Sequence, residues 1–190
     1  VEGRRNLAPA CATPVFDGMV VTTNTMKVMQ KRKTVLELML SDHPKDCLAC
    51  SKNGECELQD LAMQFGVREI RFKGKESKYR QDSSPSIIRD MDKCIMCRRC
   101  ETMCNNIQTV GALSGVNRGF EAVVATAFEQ DLEDSVCTYC GQCVAVCPVG
   151  ALHEQDHTWQ LDKDLANPKK KVIVQAAPAV RVALGEEFGL

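Results

Sequence analysis

Two stretches of this chain, "CIMCRRCETMC" and "CTYCGQCVAVC", repeat one pattern without changing a single internal gap. Cys94, Cys97, Cys100 and Cys104 return 43 residues later as Cys137, Cys140, Cys143 and Cys147. A duplicated pattern of this kind predicts two similar structural units. It also places eight soft donors on two short loops, which limits the choices to disulfides, metal ligation or both. The chain has 12 cysteines in 190 residues, well above the usage of an ordinary domain. No segment reads as a secretion signal and no run of about 20 apolar residues could span a bilayer. The expected compartment is therefore the cytoplasm, where disulfides rarely persist and thiolates serve metals.

The spacing C-x2-C-x2-C-x3-C is the bacterial ferredoxin run that holds a cubane [4Fe-4S] cluster. Three thiolates on one tight loop can cap three corners of a cube. The fourth lies on the helix that follows and points to the other cluster. One cluster is thus assigned to Cys94, Cys97, Cys100 and Cys147, and a second to Cys137, Cys140, Cys143 and Cys104. Gly141 allows backbone N–H groups to approach the inorganic sulfurs, and Pro148 follows the second run where Asn105 follows the first. Zinc is the competing reading. It prefers two C-x2-C knuckles separated by a longer loop around one ion, which these compact tetrads do not resemble.

A third group, "HPKDCLACSKNGEC", contains Cys47, Cys50 and Cys56 but no nearby fourth cysteine. His43 is either the missing ligand or a bystander, and the spacing favours the ligand. Neutral imidazole can replace thiolate on iron, with a higher potential as the consequence. Gly54 suits the bend that brings Cys56 back. His153 and His157 read as surface or capping residues. Three plus four plus four leaves Cys11, by default a free buried thiol.

Around these motifs the expected fold is α+β. Met19 to Thr23 is β-branched and suits a strand. Residues 28–40 suit a helix stopped by Pro44, and "CELQDLAMQFG" another ending near Gly66. Residues 67–86 are rich in Lys and Arg and read as a solvated surface connection with room for a short strand. "ALSGVNRGFEAVVATA" reads as short strands. Residues 157–168 suit a polar helical linker, and the remainder a buried strand, a turn at Pro178 and the start of a helix. Aromatics make up only 5% of the chain. Small domains with so little apolar bulk need staples, so the metal centres are expected to hold the fold together. The net charge of −1 gives no reason to expect a nucleic-acid or membrane partner.

"HPKDCLACSKNGECELQDLA" resembles the His-ligated [4Fe-4S] motif shared by [FeFe] hydrogenases, the cluster-bearing subunit of respiratory complex I and certain NAD-linked formate dehydrogenases. The resemblance implies that His43, Cys47, Cys50 and Cys56 hold one cluster. With the ferredoxin pair and the tail "NPKKKVIVQAAPAVRVALGEEFG", the chain is most similar to catalytic subunits of multi-subunit, NAD(P)-linked [FeFe] hydrogenases. That likeness implies four segments. Residues 1–27 would end a [2Fe-2S] ferredoxin-like domain, with Cys11 its last ligand. Residues 28–76 would form the helical His-ligated [4Fe-4S] domain, and 77–156 the 2[4Fe-4S] ferredoxin-like domain. Residues 157–190 would open the catalytic domain.

The implied cofactors are three [4Fe-4S] clusters, with the [2Fe-2S] cluster and the active-site cluster present only in a complete parent. The implied partners are an NAD(P)-linked flavoprotein, a small iron-sulfur subunit or a ferredoxin. The chain starts at Val1, which suggests that something precedes it, and no cysteine follows Cys147. The residues present would thus relay electrons without performing hydrogen chemistry. A molybdenum formate dehydrogenase relay and a freestanding carrier are the alternatives, and the tail argues against both.

Overall fold

The computed structural model describes residues 1–189 in two compact units, 1–155 and 156 onward. In the first, α1 (Met26–Asp42) begins where Thr25 accepts a hydrogen bond from the Val28 N–H at 3.3 Å, the usual use of a threonine N-cap. It ends at His43, whose extended backbone (φ −85°, ψ 138°) is what a residue before proline must adopt. Pro44 therefore both stops the helix and sets the angle at which His43 leaves it. Helix α2 (Glu57–Gln64) starts from Cys56, with Glu57 and Asp60 in its first turn complementing the helix dipole.

Five short strands follow in chain order: β1 (Asp82–Ser83), β2 (Ile87–Arg89), β3 (Ser114–Val116), β4 (Val123–Ala125) and β5 (Leu152–Glu154). Strand β2 is central to an antiparallel sheet β1-β2-β5, and β3 pairs with β4. In the β2–β5 register Ile87 faces Glu154 and Arg89 faces Leu152, so the segments flanking the two cysteine runs close on each other. Each run feeds a short helix, α3 (Arg99–Thr102) and α4 (Gln142–Ala145). After α4, Pro148 ends the helix. After α3, where Asn105 replaces proline, the chain continues as a π-turn over Met103–Ile107.

Two apolar clusters support this arrangement. Ile87, Leu113, Val124 and Leu132 centre one, with Cys104, Cys137 and Cys143 packed on it. Leu36, Leu58, Val149 and Ala151 form the other, which joins α1 and α2 to the end of the second cysteine run. The second unit contains α5 (Thr158–Ala166) and α6 (Pro178–Phe188). The Lys163 ammonium lies 4.3 Å from the Trp159 ring centre. No helix among the described residues is long and apolar enough to cross a membrane.

Several expectations need correction. Met19 to Thr23 forms no strand; Val20 and Val21 are exposed. Its backbone hydrogen bonds run from the Met19 N–H to the Phe16 carbonyl and from the Glu2 N–H to the Val20 carbonyl, and β-branching alone cannot make a strand without a ladder. The expected buried strand after Lys171 is likewise absent, with Ile173 and Val174 exposed. Pro178 is not a turn but the opening residue of α6, where its missing N–H costs nothing. Cys11 is exposed rather than buried.

Residues 67–86 are not simply a solvated charged face. Arg71, Lys75, Lys78 and Arg80 pair with Glu37, Glu121, Asp92 and Asp131, which turns the segment into a strap across the unit. Gly74 passes so close to α1 that a Cβ there would lie 2.2 Å from the Ser41 carbonyl oxygen.

Candidate iron-sulfur sites

All twelve cysteines are unbridged thiols. His43, Cys47, Cys50 and Cys56 line one hollow, together with Leu58 and Gly150. The loop closes through a left-handed Gly54 (φ 83°), and the Cys50 N–H returns to the Cys47 carbonyl at 3.1 Å. His43 Nδ1 is buried without a hydrogen-bond partner. Burial pushes the imidazole below its ordinary range; Asp46 opposes that, Lys93 adds to it, and Asp90 opposes it. Burial thus favours the neutral imidazole, the form that ligates metals.

The structure brings Cys147, from the second run, beside Cys94, Cys97 and Cys100. Burial and then the charges of Cys94, Cys147 and Cys97 push the Cys100 thiol up to about 12. Burial raises Cys94 as well, with Cys97 and Cys147 contributing. Conversely, Cys104 from the first run joins Cys137, Cys140 and Cys143 around a second hollow floored by Ile87 and Leu113. Burial first and Cys137 next push Cys143 up to about 11. Thiols so buried and so crowded by like charge stay protonated unless a cation takes the proton's place. Among the described residues no three His, Cys, Asp or Glu side chains are placed to hold a single metal ion.

The two runs fold alike in detail. Met96 and Tyr139, each two residues past the first cysteine, are left-handed at φ 53° and 54°, and each donates its N–H to that cysteine's sulfur at 3.4 Å. Arg98 and Gly141, two residues further on, are left-handed at 60° and 74°. Successive N–H groups in such a bend point inward and build a nest for anions. The Ala112 N–H adds a contact to the Cys104 sulfur at 3.3 Å.

Sequence reasoning finds Gly141 but misses Arg98, which aligning the two repeats places opposite Gly141, and the Met96 and Tyr139 amides, which carry no glycine signal in either repeat. It also misses what joins the first hollow to the ferredoxin-like runs. The Glu57 N–H donates to the Pro148 carbonyl at 3.0 Å, and the Glu57 carboxylate receives Arg99 in a fork at 2.5 and 2.8 Å.

Residues 32–71 match the NADH-ubiquinone oxidoreductase-G iron-sulfur binding region, and residues 84–153 match the ferredoxin-like domain of NADH-quinone oxidoreductase subunit 3. The chain is 70% identical over 191 residues to the NADP-reducing hydrogenase subunit HndD of Solidesulfovibrio fructosivorans, covering 100% of this chain and 33% of that protein. It is 45% identical over 155 residues to a G-type NADH-quinone oxidoreductase subunit of Rhizobium meliloti (strain 1021), covering 80% of this chain and 18% of that one. The chain thus spans a third or less of these relatives. Among solved structures, an NAD+-reducing [NiFe]-hydrogenase in the H2-reduced state matches with a TM-score of 0.70 and 28% identity, over 76% of this chain and 62% of the other. The chain therefore carries iron-sulfur binding regions for electron transfer, similar to those of hydrogenase and NADH-quinone oxidoreductase subunits.

Proposed function

We propose that the chain is the electron-transfer segment of an NAD(P)-linked [FeFe] hydrogenase and holds three [4Fe-4S] clusters. His43, Cys47, Cys50 and Cys56 would bind the first. Cys94, Cys97, Cys100 and Cys147 would bind the second, and Cys137, Cys140, Cys143 and Cys104 the third. Such clusters supply reversible one-electron chemistry within roughly −700 to +450 mV. The protein's part is to hold the thiolates, exclude water with the apolar clusters and direct amide N–H groups at sulfur, the outer interactions that tune a metal centre.

The observation that carries this reading is the exchange of fourth cysteines between the two runs, the arrangement a two-cluster ferredoxin requires. Two details support the first site. His43 Nδ1 is orphaned in the same hollow as three thiols, and that hollow's Gly150 wall lacks a Cβ that would press on the Cys50 sulfur.

In the complete protein, the relay would connect an NAD(P)-linked flavoprotein, a small iron-sulfur subunit or a ferredoxin with a hydrogenase active-site cluster, in the reducing cytoplasm. Cys11 would serve a [2Fe-2S] site only there. The four segments proposed from the sequence would be the domains of that relay. The test is anaerobic iron and sulfide analysis with EPR, expected to find about twelve irons per chain. A count of about eight, with no spectral change in His43→Ala, defeats the His-ligated site.

The 45% identity to a NADH-quinone oxidoreductase subunit supports a second reading, a relay toward quinone. Hydrogen-dependent reduction of NADP+ by the complete parent distinguishes the two.

A further inference from the structure

The first two sites share one apolar cluster, to which Cys56, Cys94 and Cys147 all belong. Gly150 lies three residues beyond Cys147, and a Cβ on it would stand 2.5 Å from the Cys50 sulfur. Its φ is not left-handed, so the backbone would accept alanine and only the sulfur forbids it. One backbone hydrogen bond of 3.0 Å joins Glu57, directly after Cys56, to Pro148, directly after Cys147. Cys56 belongs to the first site and Cys147 to the second. That hydrogen bond therefore links the backbone of one site to the backbone of the other, next to Leu58 and Val149 of the apolar cluster against which Cys94 packs half-buried.

Resting on the cluster assignment proposed above, we propose that Gly150 and the Glu57 N–H are positioning residues that set the electronic contact between the first and second clusters. The step between those clusters moves one electron. The first site is oxidised by one unit, the second is reduced by one, and no proton or covalent bond changes. The reductant behind it is the nicotinamide-linked donor, replaced by dithionite in the test. The exposed ion pair between the Arg99 and Glu57 side chains carries no part of the contact, which the Glu57 backbone N–H makes.

The two features can be altered separately. Glu57 is the first residue of α2, a position that tolerates proline, and Cys56 already has the extended backbone (φ −95°, ψ 114°) that must precede one. Glu57→Pro thus removes the N–H without breaking the helix, and Glu57→Gln keeps the N–H while losing the charge. Gly150→Ala intrudes on a sulfur that can rotate away when free but is pinned once bound to iron.

The test uses the full chain loaded anaerobically, with iron and sulfide counted. EPR of the reduced protein reads the spin-spin splitting between the two centres, and freeze-quench after substoichiometric dithionite reads how fast the second signal follows the first. Glu57→Pro and Gly150→Ala are expected to lose the splitting and to slow the transfer several-fold, while Glu57→Gln keeps both. Wild-type splitting and rate in Glu57→Pro overturn the inference, and that variant decides the matter if Gly150→Ala fails to retain iron. About twelve irons with unaltered coupling would sink this inference alone. About eight irons in the unaltered chain would sink the cluster reading beneath it.

Discussion

Asp82 and Arg89 form an ion pair at 3.1 Å with side chains only 5% and 6% exposed, and the same Asp82 oxygen accepts the Leu132 N–H at 2.9 Å. Arg89 also donates to the Val124 carbonyl at 3.1 Å. One pair thus ties β1 to β2, to β4 and to the loop that leads into the second cysteine run. Removing one partner of a buried pair leaves a stranded charge. Arg89→Met is therefore expected to cost about 3–5 kcal/mol, read as a lowered urea midpoint of the loaded chain. An Arg89→Met, Asp82→Leu double variant should recover part of that loss, because both charges are then gone.

Left-handed backbone within the cysteine loops gives a second prediction. Gly141 sits at φ 74°, where a Cβ costs about 1–2 kcal/mol. Gly141→Val should lower the melting temperature and disturb the EPR signature of the third site while leaving the first unchanged. Arg98→Gly, at the equivalent position of the first run, should cause no such disturbance, since glycine relieves the same conformation.

Gly74 provides a third. A methyl group there meets backbone, with the Ser41 carbonyl carbon at 2.5 Å and Asp42 Cα at 2.8 Å, and backbone cannot rotate away. Gly74→Ala should destabilise by about 1–3 kcal/mol. Because Ser41 and Asp42 immediately precede His43, its spectral effect is expected at the first site.

Removal of iron gives a fourth. The apolar clusters are completed by half-buried thiols, so stripping the clusters takes away the staples that a core this small needs. Chelated chain should lose its cooperative melt and bind a hydrophobic dye, whereas re-adding iron and sulfide under reducing conditions should restore the transition. A sharp melt that survives chelation would show that packing alone suffices.

The local features are readable in the sequence. Helix α1 follows from its apolar spacing and Pro44, and the Cys56 bend follows from Gly54, because each is decided within a few residues. Strands at Met19–Thr23 and after Lys171 do not form, since β-branching supplies a preference while a neighbour supplies the ladder. The strap is invisible locally because each of its cations finds its carboxylate 14 to 51 residues away. Arg98 hides a conformation normally signalled by glycine. Gly150 carries no local signal at all, as its role depends on a sulfur from a different loop.

The pairing of β2 with β5 bears on how the protein is made. A ribosome releases Cys94, Cys97 and Cys100 long before Cys147 and the strand that locks against Ile87 and Arg89. On the assignment proposed above, Cys94, Cys97 and Cys100 would lack their fourth donor until Cys147 emerges. Neither of the two sites proposed for these runs could then be completed before the second run has been made.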